Sequence, residues 1–215
     1  MHRYFVTGTD TGVGKTRVTA AIAAALRQCG HEPTIVKLVQ TGLDAGERGD
    51  AQHAGELAGT PYRELLRFRE PADPWSAALA EGAEPPHAAA LADGLAAIPD
   101  SIVVEGSGGL MVPLRPHQDF GDVARRARLP VVIVIGLRLG CLNHTLLTLA
   151  RCRELRLPVV GGVLVECWGA VTPAYRADVE RVLQGKLEIL CILPFAEDER
   201  ASVMSGAEAL QRWLR

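Results

Sequence analysis

The stretch VTGTDTGVGKT, which runs from Val6 to Thr16, has the residue types and spacing of a phosphate-binding loop. A strand-like run precedes it and a helical pattern begins at Lys15, so backbone N–H groups at the loop and helix start can surround an anion. Lys15 could reach the outer phosphates of a nucleotide, and the Thr16 hydroxyl could bind Mg²⁺. Gly12 and Gly14 allow the backbone to approach such a ligand closely.

The loop departs from the general pattern G-x-x-x-x-G-K-[ST] by one residue. That pattern needs glycine five positions before Gly14, where this sequence has Thr9. Switch ATPases of the partition and septum-placement type carry a second lysine five positions before the main one, and here that position is Asp10. The loop therefore favours a phosphoryl-transfer enzyme over a switch, which stays an alternative interpretation.

Two acidic residues could hold a metal ion beside this loop. Glu105 ends the apolar run SIVVE before a glycine-rich turn, and an acid at the carboxyl end of a parallel strand faces the crevice where ligands bind. Its carboxylate suits Mg²⁺. Asp50 precedes a helical pattern and could be either a second metal ligand or a helix N-cap. The sequence does not decide between these two roles.

A second lysine, Lys37, lies within the apolar run TIVKLVQTG, where lysine is rarely placed for packing. If the first two strands are neighbours, Lys37 shares one end of the sheet with the phosphate loop and could stabilise charge on a transferring phosphoryl group or on a carboxylate-like acceptor. A lysine on a sheet edge is the alternative interpretation. Thr41 and Gly42 follow in a turn and could contact a substrate.

The composition describes an ordinary globular chain. Its 215 residues predict one domain spanning residues 1–215, and the net charge of −2 gives no general surface for nucleic acid. No apolar run reaches the roughly 18–20 residues of a membrane span, and we expect no secretory leader. Five cysteines without a CxxC pair indicate reduced thiols and a cytoplasmic protein. The histidines show no zinc-binding spacing.

Short β-rich runs alternate with helical patterns, which predicts an α/β fold with a doubly wound, mostly parallel sheet flanked by helices, of the P-loop NTPase type. The predicted strands are Tyr4–Thr7, Thr34–Val39, Ser101–Glu105, Val131–Ile135, Val159–Val165 and Ile189–Leu193. The predicted helices are Lys15–Cys29, Asp119–Arg128, Asn143–Leu155, Pro173–Leu183 and Ala207–Leu214. The segment Leu43–Pro99 is interpreted as a helical excursion without a strong strand.

Four segments in order resemble the dethiobiotin synthetase family over nearly the whole chain. YFVTGTDTGVGKT resembles its signature loop, which shares the one-residue departure, and VKLVQTG resembles its K-P-V-x-[ST]-G segment. VVEGSGGLMVPL is similar to its V-E-G-A-G-G segment, and RLGCLNHTLLT to its [KR]-L-G-x-[IL]-N-H segment. The resemblance implies carboxylation of 7,8-diaminononanoate with CO₂ and MgATP, through a carbamate and a carbamic–phosphoric anhydride, to dethiobiotin, ADP and phosphate.

The same resemblance implies roles for individual residues. Lys37 would be the catalytic lysine at the carbamate, with Lys15 and Thr11 beside the phosphates, and Mg²⁺ would be held by Thr16, Asp50 and Glu105. Thr41 would contact the diamine, and the turn Gly140, Cys141, Leu142 and Asn143 would bind the substrate carboxylate from the partner subunit of a homodimer. The implied nucleotide contacts are Gly12, Val13, Gly14, Lys15, Thr16, Arg17, Asp50, Glu105, Gly106, Ser107, Gly108, Glu166, Cys167, Pro194, Phe195, Ala196 and Glu197.

Several positions depart from the family pattern. Leu38 replaces a proline, Ser107 an alanine, and Trp75 a histidine. Glu166 stands where the family usually has an asparagine that reads the adenine edge. An ionised carboxylate only accepts hydrogen bonds, so Glu166 could accept from the amino group of adenine, cytosine or guanine. The remaining alternatives are a corrin-amidating relative, for which the chain is too short, and an inactive nucleotide-binding homologue.

Overall fold

The computed structural model describes residues 1–99 and 101–214. In this part of the chain a parallel sheet is built from β1 (Arg3–Gly8), β2 (Thr34–Gln40), β3 (Tyr62–Arg67), β4 (Ile102–Gly109), β7 (Val131–Gly136), β8 (Val159–Val165) and β9 (Ile189–Leu193), and β5 (Pro113–Arg115) and β6 (Gln118–Asp119) form a small antiparallel pair. The helices are α1 (Lys15–Gln28), α2 (Asp50–Ala58), α3 (Pro74–Ala80), α4 (Ala88–Ala96), α5 (Phe120–Arg126), α6 (Cys141–Glu154), α7 (Pro173–Leu183) and α8 (Glu199–Leu214). The α/β class and the parallel sheet are confirmed.

The strand order is β3-β2-β4-β1-β7-β8-β9. The condition considered in the sequence analysis, that the first two strands are neighbours, is therefore not met, because β4 lies between them. In the parallel register Glu105 of β4 stands opposite Val6 of β1 on one side and Lys37 of β2 on the other. This insertion matters for the site, since it brings the acid of one strand directly beside the lysine of the next.

The edge strand β3 was not predicted, and Leu43–Pro99 does contain a strand. Its sequence, YRELLR, mixes charged and apolar residues because one long side of an edge strand faces solvent. The expected helices of this segment are present as α2, α3 and α4. The short strands β5 and β6 were also missed, since runs of two or three residues carry no periodic signal.

Two apolar layers cover the two faces of the sheet. One is formed with α4, α5, α6 and α7, and includes Leu95, Phe120 and Leu183. The other is formed with α1, α2 and α8, where the alanine-rich stretch Ala20–Leu26 of α1 is buried. Small side chains let α1 lie close to the sheet and to α8. The phosphate loop before α1 is thus mounted on a rigid support.

Two helices begin more than one residue away from their predicted starts. α6 begins at Cys141 rather than Asn143, and α8 begins at Glu199 rather than Ala207. The first turns of α8 contain arginine, serine and acidic residues, which hide its helical pattern in the sequence. None of the helices in residues 1–99 and 101–214 is long and apolar enough to cross a membrane.

Candidate active site

A cavity of about 710 Å³ opens where the carboxyl ends of β1, β2 and β4 meet. Ligands of open α/β sheets bind in this position. Of the residues that the sequence placed in the site, the cavity is lined by Thr11, Gly12, Gly14, Lys15, Thr16, Arg17, Lys37, Thr41, Asp50, Glu105, Ser107 and Gly108. The structure therefore brings the predicted phosphate, metal and lysine groups into one space.

The phosphate loop packs tightly against the end of β8 through Gly14. Gly14 is the N-cap of α1 in a left-handed conformation, with φ of 89°. A Cβ added there would lie 2.9 Å from Cγ1 of Val165 and 3.1 Å from Sγ of Cys167, so any other residue would push these side chains aside and would also be strained by the left-handed φ. Burial raises the pKa of the Cys167 thiol to about 11, so this neighbour of the loop is uncharged at neutral pH.

Lys15 extends along the loop and donates a hydrogen bond from Nζ to the carbonyl oxygen of Asp10 at 3.0 Å. Burial, followed by the nearby charge of Lys37, lowers the pKa of Lys15 to about 8, against the opposing effect of the neighbouring carboxylates. A nucleotide phosphate placed beside Nζ would favour the charged form. Lys15 is thus a cation that lacks a carboxylate hydrogen bond and is suited to an anionic ligand.

Lys37 is enclosed by acceptors. Its Nζ donates to Oδ2 of Asp50 at 2.5 Å, to Oε1 of Glu105 at 2.8 Å and to the carbonyl oxygen of Gly106 at 3.2 Å. Burial alone would lower its pKa, but the carboxylates of Glu105 and Asp50 outweigh that effect and raise it. Lys37 is 2% exposed and lies on an internal strand, which removes the edge-lysine interpretation.

The residues expected to hold Mg²⁺ fit that ion. The Thr16 hydroxyl lies 3.2 Å from Oε1 of Glu105, and Oε2 of Glu105 is buried without a hydrogen-bond partner among residues 1–99 and 101–214. Asp50 is the first residue of α2, after the N-cap Gly49, which removes the N-cap alternative, and Asp50 lines the cavity. Two carboxylates and a hydroxyl suit Mg²⁺, which takes its other ligands from phosphate and water. The described residues contain no group of three or more His, Cys, Asp or Glu side chains arranged for a metal.

The remaining predicted nucleotide residues lie around this cavity rather than on its wall. Val13 is buried beneath the loop, and the Gly106 carbonyl binds Lys37. Phe195 is exposed, and the Pro194 carbonyl accepts a hydrogen bond from Nη2 of Arg17 at 2.9 Å. Ala196 and Glu197 follow in the same loop, which links β9 to α8.

Glu166, at the end of β8, is 2% exposed and bonded to protein groups through both oxygens. Oε1 accepts from Nη2 of Arg176 at 2.5 Å, and Oε2 accepts from the backbone N–H of Phe195 at 3.1 Å. Burial opposes ionisation, but these donors and the N–H of Val171 outweigh it and lower the pKa of Glu166. The structure therefore gives Glu166 a contact with the Phe195 loop, and its contact with a base stays a prediction.

The turn expected to bind the substrate carboxylate is the first turn of α6. Gly140 is the N-cap in a left-handed conformation without a side-chain cap, and Cys141 is buried. These residues line neither the main cavity nor a second cavity of about 430 Å³ beside it, whose wall includes Thr9, Asp10 and His144. Arg138, just before the turn, forms an ion pair with Asp10, so the turn is tied to the phosphate loop.

The sequence analysis missed several residues of the cavity wall. They are Gln40, Pro71, Ala72, Asp73, Pro74, Val112 and Glu199, whereas Gly42, which also lines the cavity, was expected there beside Thr41. Gln40 is in the same strand as Lys37, so its position was available as a signal. Glu199, by contrast, comes from α8 and contacts His53 of α2 at 2.7 Å, a pairing across 146 positions that no local pattern indicates.

The fold and the cavity define a nucleotide-binding α/β protein of the P-loop type. The family model described as an AAA domain matches residues 2–201. Solved structures with the same fold include the septum site-determining protein MinD of Pyrococcus horikoshii with Mg-ADP (TM-score 0.60, 17% identity, 98% of this chain and 94% of that one). Cobyrinic acid a,c-diamide synthase of Mycobacterium smegmatis is similar at a TM-score of 0.60 and 17% identity, over 99% and 95% of the two chains. At these identities the likeness concerns the fold alone.

Curated relatives are closer in sequence. A protein of Anaeromyxobacter dehalogenans, named ATP-dependent dethiobiotin synthetase, is 38% identical over 207 residues and 92% of each chain. One of Yersinia pestis with the same name is 34% identical over 229 residues, covering 99% of this chain and 92% of the relative. The chain belongs to the ATP-dependent dethiobiotin synthetase family, and it is an enzyme of the ligase class.

Proposed function

We propose that this protein converts 7,8-diaminononanoate, CO₂ and ATP into dethiobiotin, ADP and phosphate, a step of biotin biosynthesis. The observation that carries the proposal is the buried ammonium of Lys37, held between Asp50 and Glu105 at the open end of the phosphate loop. The names of the curated relatives support it. Residues 1–215 form a single domain in this proposal.

The proposed chemistry has three bond-forming steps. One amine of the substrate attacks CO₂ and, after losing a proton, becomes a carbamate anion. A carbamate oxygen then attacks the γ-phosphorus of ATP, and ADP leaves, which gives a carbamic–phosphoric anhydride. The second amine attacks the carbonyl carbon of this anhydride, loses a proton and expels inorganic phosphate as the ureido ring closes.

Charge neutralisation and positioning are the main tasks of the protein, because an anionic carbamate must approach an anionic phosphate. Lys15 would bind the outer phosphates, and Lys37 would bind the carbamate, with Thr11 beside both. Mg²⁺, held by Thr16, Asp50 and Glu105, would supply further positive charge on the phosphates. The hydrogen bonds of Lys37 go to protein acceptors, so at least one must break when the carbamate binds.

The diamine would lie along the far wall of the cavity. Thr41 lines it, and so does the segment Pro71–Pro74 from the loop before α3. A homodimer would bring the α6 N-terminus of the partner to the substrate carboxylate, since a helix N-terminus is suited to an anion. The exposed side chains of Met111, Leu139 and Leu147 near this helix support such a contact. The five free thiols support the proposed cytoplasmic location.

A switch ATPase is not proposed, although its fold is similar. Asp10 occupies the position of the second lysine of that class and pairs with Arg138.

The reaction is tested by incubating the protein with diaminononanoate, bicarbonate, Mg²⁺ and each nucleoside triphosphate in turn. We expect dethiobiotin by mass spectrometry in amounts equal to the phosphate released. Nucleotide hydrolysis that neither needs the diamine nor yields dethiobiotin would contradict the proposal.

A further inference from the structure

Helix α2, which supplies Asp50 to the candidate metal site, begins without a capping side chain of its own. Its N-cap is Gly49, in an extended conformation. The first N–H groups of a helix have no partner within the helix, and Ser, Thr, Asp or Asn at the N-cap usually satisfies one of them. Here the N-cap has no side chain, and a side chain at this position would collide with an ion pair of the neighbouring strand.

The obstruction comes from the edge strand. Glu64 and Arg67 of β3 form a two-pronged ion pair at 2.8 and 2.9 Å, and this pair lies against Gly49. A Cβ added to Gly49 would overlap the Glu64 carboxylate and lie 2.7 Å from Nη2 of Arg67. Any other residue at this position would have to displace the ion pair, and with glycine there the cap comes from another part of the chain.

Gln40 takes that place. It is the last residue of β2, it is 5% exposed, and its Oε1 accepts the backbone N–H of Asp50 at 2.9 Å. Its Nε2 donates to the carbonyl oxygen of Thr41 at 3.1 Å. The reversed amide would oppose donor to donor and acceptor to acceptor, so the two contacts together define its orientation.

This contact holds a residue that is otherwise loosely placed. The Asp50 side chain is 40% exposed and reaches into the open cavity, where its hydrogen-bond partner is Lys37 at 2.5 Å. A carboxylate on a first helical residue follows the position of its own backbone. A hydrogen bond that holds the N–H of Asp50 therefore limits where its short side chain can place the carboxylate relative to Glu105 and Thr16.

We propose that Gln40 is a positioning residue for metal binding, which acts through Asp50 by capping α2 from the neighbouring strand. The proposal rests on the metal role of Asp50 in the proposed function. Hydrogen-bond partners of metal ligands typically affect metal affinity by 10- to 100-fold. The amide of Gln40 is such a partner, attached to the backbone of the ligand rather than to its carboxylate.

The test compares Gln40→Met, which keeps the volume and removes both hydrogen bonds, with Gln40→Glu, which keeps an acceptor oxygen at the same distance. Mn²⁺ binding in the presence of ADP is measured by electron paramagnetic resonance. We expect Gln40→Met to raise the Mn²⁺ dissociation constant roughly tenfold. Gln40→Glu keeps the acceptor for the Asp50 N–H but loses the donor to Thr41, so it should bind Mn²⁺ more tightly than Gln40→Met. Metal-free ADP binding should change less than twofold in both variants. The matched control is Gln52→Met, which removes the 2.9 Å hydrogen bond from Nε2 of Gln52 to Oε1 of Glu56 elsewhere in α2.

A double-mutant cycle shows whether Gln40 acts through Asp50. In the Asp50→Asn background, adding Gln40→Met should produce no further loss of Mn²⁺ affinity. The proposal would be overturned if Gln40→Met and Gln40→Glu weakened Mn²⁺ binding equally. It would also be overturned if the melting temperature fell while Mn²⁺ affinity stayed the same, because Gln40 would then be only a structural cap. Because this readout needs no diamine, the result stands even if the parent protein makes no dethiobiotin.

Discussion

The two ends of the candidate nucleotide site are built in opposite ways. At the phosphate end, charged side chains from different strands meet in an open cavity, and Lys15 forms no carboxylate hydrogen bond. At the base end, the corresponding charges are paired with each other, since Glu166 is bonded to Arg176 and to the Phe195 loop. Phosphates are the same in every nucleotide, so their site needs positive charge. A base is distinguished by hydrogen bonds, and the protein can either leave its own donors and acceptors available to the base or pair them with each other.

The largest expected effect tests the phosphate end. Lys37→Gln keeps a hydrogen-bond donor but removes the charge between two carboxylates, so kcat should fall by roughly 10²- to 10³-fold. MgATP binding should change little, because Lys15 and the loop still hold the phosphates. Steady-state kinetics and equilibrium nucleotide binding measure the two effects separately. Lys186→Gln, at an exposed lysine bonded to the carbonyl of Val182, is the control. Near-normal turnover in Lys37→Gln would remove Lys37 from the chemistry.

The pH dependence of metal-free ADP binding should sharpen the contrast. The pKa of Lys15 is lowered by burial and by Lys37 to about 8, and a bound phosphate raises it. Above pH 8 the empty protein has lost this proton and must take it up again on binding, so ADP affinity should decrease by up to about tenfold per pH unit. Calorimetry with EDTA, in buffers of different ionisation enthalpy, measures the proton uptake. Lys15→Met should abolish it, and a flat affinity between pH 7.5 and 9.5 would be the contrary result.

A smaller effect is expected at the base end. Glu166→Asn shortens the side chain, so Arg176 and the Phe195 N–H lose an acceptor and the free energy of unfolding should fall by about 1–3 kcal/mol. The restored amide should shift preference toward ATP. Arg176→Met removes the same ion pair but keeps Glu166. If Glu166 contacts the base, only Glu166→Asn changes the ratio of kcat/KM values for ATP, CTP and GTP. An identical ratio in the parent and in both variants would restrict Glu166 to holding the loop.

The smallest effect concerns the surface beside the base end. The Arg138 guanidinium lies 5.2 Å from the centre of the Trp168 ring, and both side chains are substantially exposed. Trp168→Leu removes a cation–π contact worth about 0.5–1 kcal/mol at such sites. The melting temperature should fall by a few degrees at most, with Lys37-dependent turnover unchanged. A loss of turnover comparable to that of Lys37→Gln would show that the two ends are not independent.

Residues that are recognisable from their type and local sequence were predicted correctly. Contacts between residues on different elements were not predicted. Lys15 begins a helix after the glycine loop, and Lys37 and Glu105 are charged residues within apolar strands, so residue type and local pattern were enough to place them. The partners of Glu166 and Asp50 were not predictable, because Arg176 and Gln40 are each ten positions away on another element. The edge strand β3 was not predicted for a related reason, because it is held by pairing with β2 and does not contain an apolar run.

The arrangement at Lys37 also has a consequence for how the newly made chain acquires its structure. Two carboxylates facing each other in a fold would repel, and in many small metalloproteins the fold waits for the ion that neutralises them. Here the neutralising charge is part of the chain, because the Lys37 ammonium bridges Asp50 and Glu105. The charge that holds these two carboxylates together in the fold is therefore supplied by the chain itself and does not have to come from a metal ion.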